Sequence, residues 1–140
     1  MKDNEKARYS VDARDEKYDF SDLVRITDIL RSPGGCPWDI KQTHESLKEC
    51  LTEESGEVIA AIDNRDDANL CEELGDLLLQ VVMHAQIAAE EGRFTIDDVI
   101  QGISEKMIRR HPHVFGDVSV SSAEESLELW QQIKKQEKDR

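Results

Sequence analysis

The stretch from Glu53 to Asp76 constrains this 140-residue chain more than any other part of it. It opens with Glu53-Glu54-Ser55-Gly56-Glu57, runs through an apolar segment to Asn64-Arg65-Asp66-Asp67, and closes with Glu72-Glu73-Leu74-Gly75-Asp76. Carboxylates three apart on a helix are surface neighbours, which pairs Glu54 with Glu57 and Glu73 with Asp76. The polar, turn-prone residues between the pairs predict an antiparallel helical hairpin. Folding back gathers four carboxylates onto one patch.

The position of these charges relative to the apolar residues decides what they are for. In the first helix Leu47, Cys50, Leu51, Val58, Ala61 and Ile62 form the stripe. At about 100° per residue, Glu54 falls roughly 20° from Leu47 and roughly 40° from Val58, inside that stripe. Glu57 lies at its edge and Glu53 points further out. In the second helix Leu70, Leu74, Leu77, Leu78, Val81 and Ala85 form the stripe, with Glu73 and Asp76 flanking it. A solvated acidic face would stand opposite the stripe. Glu-x-x-Glu alone is common on exposed helices, but two such pairs, one within an apolar stripe, favour a cation that offsets repulsion and desolvation. All-carboxylate ligation suits magnesium, with manganese as a substitute, rather than zinc or copper. A helical di-iron site needs Glu-x-x-His pairs, and no His here stands three residues after a Glu.

The length fits one domain, and with only 5 % aromatic residues its core is expected to be Leu, Ile, Val and Ala. A net charge of -13 argues against a general nucleic-acid surface but leaves room for a small anion reached through metal and local cations. Cys36, Cys50 and Cys71 lack metal-site spacing and read as reduced packing thiols. Neither a signal peptide nor a membrane-length apolar run is visible, so the expectation is a cytoplasmic protein with no membrane partner. Residues 1–19 mix charges with few apolar anchors and read as a flexible tail before a domain spanning 20–140.

Along that domain Ser21 is the expected N-cap of a helix to about Arg31, ended by Ser32-Pro33-Gly34-Gly35. Trp38 stands among turn residues, either plugging one end of a bundle or facing a ligand. The hairpin helices are expected near Thr43–Asp63 and Asp67–Glu90. After Leu77 the second is apolar almost all round, with Met83 and Ile87 outside the main stripe, which points to packing on another subunit. His84 within it is expected to be a hydrogen-bonded core residue. Thr95 and Asp98 cap a helix turning Ile96, Val99, Ile100, Ile103, Met107 and Ile108 inward. On it Lys106 and Arg110 share a face, either serving the helix dipole or binding phosphate oxygens. His111-Pro112-His113 ends that helix, residues 114–120 read as extended, and Ser122 with Glu125 opens a last helix to about Lys138. The architecture is all-α, about five helices, with a four-helix-bundle core completed in a homodimer or higher homo-oligomer.

Several segments in order resemble the MazG family of all-α nucleoside triphosphate pyrophosphohydrolases. They are the Glu-Glu-x-x-Glu and Glu-x-x-Asp pairs, Gly35-Cys36-Pro37-Trp38-Asp39, Gln42-Thr43-His44-Glu45-Ser46-Leu47, the run from Glu73 to Val82, His84 to Ala88, Glu91-Gly92-Arg93-Phe94, and Arg109 to Asp117. The resemblance extends from about Phe20 to the C-terminus. It implies hydrolysis of a nucleoside triphosphate to the monophosphate and pyrophosphate, in nucleotide-pool housecleaning. Glu54, Glu57, Glu73 and Asp76 are then the expected metal ligands, with Glu53 a supporting or general-base candidate. It also implies a nucleotide pocket near Trp38, where Lys41 approaches phosphate and Gln42 supplies amide hydrogen bonds, with Lys106 and Arg110 on phosphate and Trp130 at the nucleotide; Lys41 and Gln42 read equally as ordinary helix-start residues, and Trp130 as an anchor of the last helix on the bundle. Two rivals stand beside this reading: a non-catalytic acidic helical regulator or scaffold, and a relative restricted to one nucleotide such as dUTP or dCTP.

Overall fold

Over residues 16–139 the computed structural model forms seven α-helices and no strand; residues 6 and 8–12 are also described. The helices are α1 Phe20–Leu30, α2 Pro37–Lys41, α3 Lys48–Asp63, α4 Asp67–Glu90, α5 Ile96–Arg109, α6 Pro112–Phe115 and α7 Ala123–Lys138. The chain divides into two units, residues 1–96 and 97–140. The five helices expected from periodicity are present, and two short ones join them. Each short helix starts with proline at its first position, where the missing N–H is no loss and the fixed φ favours a turn of helix. Val114 and Phe115 therefore lie in α6, not in an extended segment, which corrects the expectation for the start of 114–120. Part of the expected tail (residues 1–5, 7 and 13–15) lies outside the described residues.

Two helix starts differ from expectation. Asp19, not Ser21, caps α1: its side chain accepts from the Asp22 N–H at 3.0 Å, while Asp22 accepts from the Asp19 N–H at 2.9 Å. An ionised carboxylate outcompetes a hydroxyl at the positive end of the helix, and Ser21 donates to Asp19 instead. Regular helix in α3 begins at Lys48 and not near Thr43. Thr43 and Ser46 bond reciprocally (2.8 and 3.1 Å) around a tight turn, which the Leu47 N–H closes by donating to the Thr43 carbonyl at 3.1 Å.

The hairpin turn is set by backbone geometry. After Asn64, the Arg65 N–H donates to the Ile62 carbonyl and the Asp66 N–H to the Ala61 carbonyl, the paired bonds of a Schellman motif. Asp66 then caps α4 by accepting from the Asn69 N–H. The same motif ends α4, where Gly92 at φ 69° occupies the left-handed position that Arg65 takes at φ 52°. At the end of α1 a side chain on Gly35 would run into the Ile29 and Leu30 carbonyls, so only glycine allows the chain to double back there.

In the first unit α4 packs against both α3 and α1. The core is Leu47, Met83 and Ile87, with Cys50 and Leu79 against it and Val82, Ala85 and Ala88 fully covered on α4. Gln86 ties α4 to α1 by donating to Asp28 at 2.9 Å. This corrects the predicted stripe of α4. Met83 and Ile87, placed outside it, are buried, whereas Leu74, Leu78 and Val81, placed within it, are exposed. Periodicity locates apolar residues, but in a helix apolar on most sides it does not say which side one chain covers. Cys71, expected to pack, is also exposed. In the second unit α5 fully buries none of its residues, and Ile100, Ile103, Met107 and Ile108, expected inward, are exposed. No described helix is long and apolar enough to cross a membrane.

Candidate functional site

The Schellman turn and the Asp66 cap fold α4 back along α3, which brings their acidic residues together. Carboxylate oxygens of Glu54, Glu73 and Asp76 lie within 4.8 Å of one another. Glu54 and Glu73 are half-buried and Asp76 is exposed. Burial is the main reason the Glu54 carboxyl is pushed above the ordinary range, followed by the charges of Asp76, Glu57 and Glu53. Glu73 is raised likewise, by burial first and then by Glu57, Asp76, Glu54 and Glu72. Glu57 is itself exposed and outside the three-carboxylate group, yet its charge acts on both half-buried partners. Glu53, also exposed, acts on Glu54. Carboxylates on two helices, held where neither burial nor their neighbours favours ionisation, fit a hard divalent cation bound through oxygen.

The other sequence-derived site residues fall in two places. In the first unit Trp38 is 58 % exposed on α2, so within this chain it does not plug a core. The Gln42 amide donates to the Trp38 carbonyl at 2.9 Å and accepts from the Ser46 hydroxyl at 2.8 Å, which orients it and leaves one N–H for a ligand. Lys41 and Gln42 line a cavity of about 680 Å³ with Arg31, His44, Glu90 and Arg93. None of the acidic triad lines it.

In the second unit Lys106 is half-buried on α5. Arg110 donates to Glu137 at 2.9 Å and its guanidinium lies 5.8 Å from the centre of the Trp130 ring. Arg109 donates to the other Glu137 oxygen at 2.6 Å, and Lys134 sits 4.3 Å above the same ring. The hydrogen bonds from Arg110 and Arg109 hold the Glu137 carboxyl down to about 2. Glu137, Arg109 and Lys134 were not among the expected site residues. Lys134 carries a sequence signal, four residues from Trp130 on α7; Glu137 carries none, because its partners are far away in sequence. His84 is a hydrogen-bonded histidine as expected, with His44 as its partner at 2.7 Å.

An all-helical chain whose central hairpin gathers carboxylates from two helices belongs to the class of all-α proteins with an acidic cluster whose donors fit a divalent metal. Within that class the description of the MazG nucleotide pyrophosphohydrolase domain matches residues 42–115, more than half of the sequence. The chain belongs to the MazG family. The match takes in the acidic pairs, Gln42, Lys106 and Arg110; Trp38, Lys41 and Trp130 lie outside it.

The chain is 60 % identical over 119 residues to the nucleoside triphosphate pyrophosphohydrolase/pyrophosphatase MazG of Thermotoga maritima, covering 85 % of this chain and 45 % of that protein. It is 57 % identical over 122 residues to the uncharacterized protein YabN of Bacillus subtilis, covering 87 % of this chain and 25 % of YabN. It thus spans between a quarter and a half of the length of these curated relatives. Among solved structures, a mazG-related protein from Thermotoga maritima aligns with TM-score 0.65 at 36 % identity, over 79 % of this chain and 97 % of that one. A MazG-type domain implies a divalent metal, and the acidic cluster supplies a donor set that fits one.

Proposed function

We propose that the protein hydrolyses nucleoside triphosphates to the monophosphate and pyrophosphate with magnesium, manganese substituting, and that it works as a homodimer or higher homo-oligomer. The observation that supports this best is the triad Glu54, Glu73 and Asp76, whose oxygens converge within 4.8 Å where two of the three are half-buried. These three residues and Glu57 would hold the metal. Once bound there, the ion would supply charge neutralisation for the phosphates and a lowered pKa for a water. Glu53, exposed and next to Glu54, would accept a proton. In the first unit Trp38 would offer an aromatic face for a base and Lys41 and Gln42 donors for phosphate or sugar; in the second, taken by itself, Trp130 would offer a face and Lys106 and Arg110 donors.

Incubating the protein with canonical and modified nucleoside triphosphates, with and without magnesium, tests this reading. Magnesium-dependent release of monophosphate and pyrophosphate is expected. Diphosphate and phosphate would move the cleaved bond. A folded, magnesium-binding protein without turnover would instead favour the non-catalytic acidic module.

A further inference from the structure

The segment from α2 to the start of α3 is fastened by side chains that have no part in the proposed chemistry. Arg31, whose side chain is only 7 % exposed, donates to both Glu90 oxygens at 3.0 and 3.1 Å. Its Nη1 donates to the Asp39 and Gln42 carbonyls at 2.5 and 3.0 Å. Five residues on from Asp39, His44 Nδ1 lies 2.7 Å from His84 Nδ1. The two rings are within 3° of coplanar with centres 5.0 Å apart, so they meet edge to edge. Arg93, in the turn after α4, places Nη2 2.5 Å from the other His44 nitrogen, Nε2.

These contacts assign the protons. A guanidinium only donates, so His44 Nε2 accepts and the neutral His44 ring carries its hydrogen on Nδ1. That N–H donates to His84 Nδ1, which leaves the His84 hydrogen on Nε2, a buried atom with no partner among the described residues. One proton fits between the two Nδ1 atoms. If the pair takes up another, His44 gains a hydrogen on Nε2 whichever ring is charged, and that hydrogen points at Arg93.

We propose that Arg93, by fixing this His44 tautomer, is a positioning residue: it holds the segment that presents Trp38, Lys41 and Gln42 to the nucleotide. The role in catalysis rests on the hydrolase reading above; the tautomer assignment does not. Burial, and then the neighbouring His44, hold His84 below its ordinary value of 6.5. The charged groups around the pair are Arg31 just after α1, Lys41 from α2, Glu45 from the segment itself, Glu90 at the end of α4, and Glu91 and Arg93 in the following turn. Arg31 is paired with Glu90 and Arg93 with Glu91, so the cations and carboxylates largely offset one another. A lowered imidazole pKa means the folded state prefers the neutral pair. The fastening is therefore complete above the ordinary imidazole pKa and is lost as pH falls through the lowered value.

Imidazole nitrogen NMR of the wild-type protein at about pH 8 should show His44 as the Nδ1–H and His84 as the Nε2–H tautomer. Arg93→Ala should release the His44 tautomer and raise KM roughly 10-fold with kcat unchanged, because Arg93 lies outside the acidic cluster assigned to the chemistry. Arg93→Lys, which keeps a donor, should recover much of the loss. Acidification should raise the wild-type KM but leave that of Arg93→Ala nearly flat. Both histidines found as Nε2–H in the wild type, or an unchanged KM in Arg93→Ala, overturns the proposal. If no nucleotide is hydrolysed, the functional reading fails separately. Backbone amide shifts of residues 38–42 then decide: movement in Arg93→Ala supports the fastening, and unchanged shifts overturn it.

Discussion

Glu54 and Glu73 are where the charge of this chain works against its own fold. Each is half-buried beside other carboxylates, and each is pushed up first by burial and then by its neighbours. A carboxyl whose pKa is raised by folding contributes stability that is present below its ordinary value and lost as pH rises through the raised one. At neutral pH the metal-free protein therefore bears an uncompensated cost at both positions. Glu54→Gln removes the charge and keeps the shape. It should raise the Tm measured without metal, reduce the further rise on adding magnesium, and lower turnover by roughly 100-fold or more, at or beyond the upper end of what loss of a supporting residue costs. Thermal scans with and without magnesium, alongside a hydrolysis assay, read all three. Turnover at the wild-type rate would remove Glu54 from the ligand set. Arg110 shows the opposite balance, since Glu137 and the Trp130 face already answer its charge, so phosphate binding there would compete with an existing ion pair.

At the level of elements, one turn sets the register of the acidic hairpin. Arg65 occupies a left-handed backbone position with both Schellman bonds formed, in a place where the end of α4 uses glycine. A non-glycine residue there costs about 1–2 kcal/mol, part of which glycine would return as extra unfolded-state freedom. Arg65 is exposed, so little packing is lost on its removal. Arg65→Gly should stabilise the protein by about 0.5–1 kcal/mol in urea unfolding at unchanged m-value; destabilisation would mean the side chain has a role the turn does not show. The hairpin itself was legible from Asn64-Arg65-Asp66-Asp67, because turn formers between two apolar periodicities leave few alternatives. The start of α3 was less so. Thr43 does begin a turn, but Ser46 answers it with a side-chain bond and delays regular helix to Lys48.

At the scale of the molecule, the first unit leaves apolar side chains uncovered along the acidic hairpin. Leu74, Leu78 and Val81 on α4, with Ile59 and Ile62 on α3, are 39–59 % exposed. A second copy of the hairpin covering this face is what the proposed homodimer supplies, and it would complete a four-helix bundle around the carboxylates. Burying one Leu is worth about 1.5–3 kcal/mol and a two-fold interface contains it twice, so Leu78→Glu should weaken self-association by at least roughly 100-fold. Sedimentation of wild type and variant over a concentration series checks this. A wild-type monomer throughout the series would end the dimer reading.

Helical period and turn chemistry, which act over a few residues, made the five longer helices, the hairpin and the Glu54–Glu57 and Glu73–Asp76 pairs legible in the sequence, whereas the fold brings Glu54, Glu73 and Asp76 within 4.8 Å and leaves Glu57 outside that group. The sequence also carried the family, through ordered motifs spread along most of the chain. Which face of α4 is buried came from the folded structure alone, since a helix apolar on most sides offers several equivalent choices and packing selects one. That structure alone revealed the Arg31, Arg93 and His44–His84 contacts and the double ion pair at Glu137. The Arg31–Glu90, Arg93–His44, His44–His84 and Glu137 partners lie 27–59 residues apart, beyond the reach of any local rule.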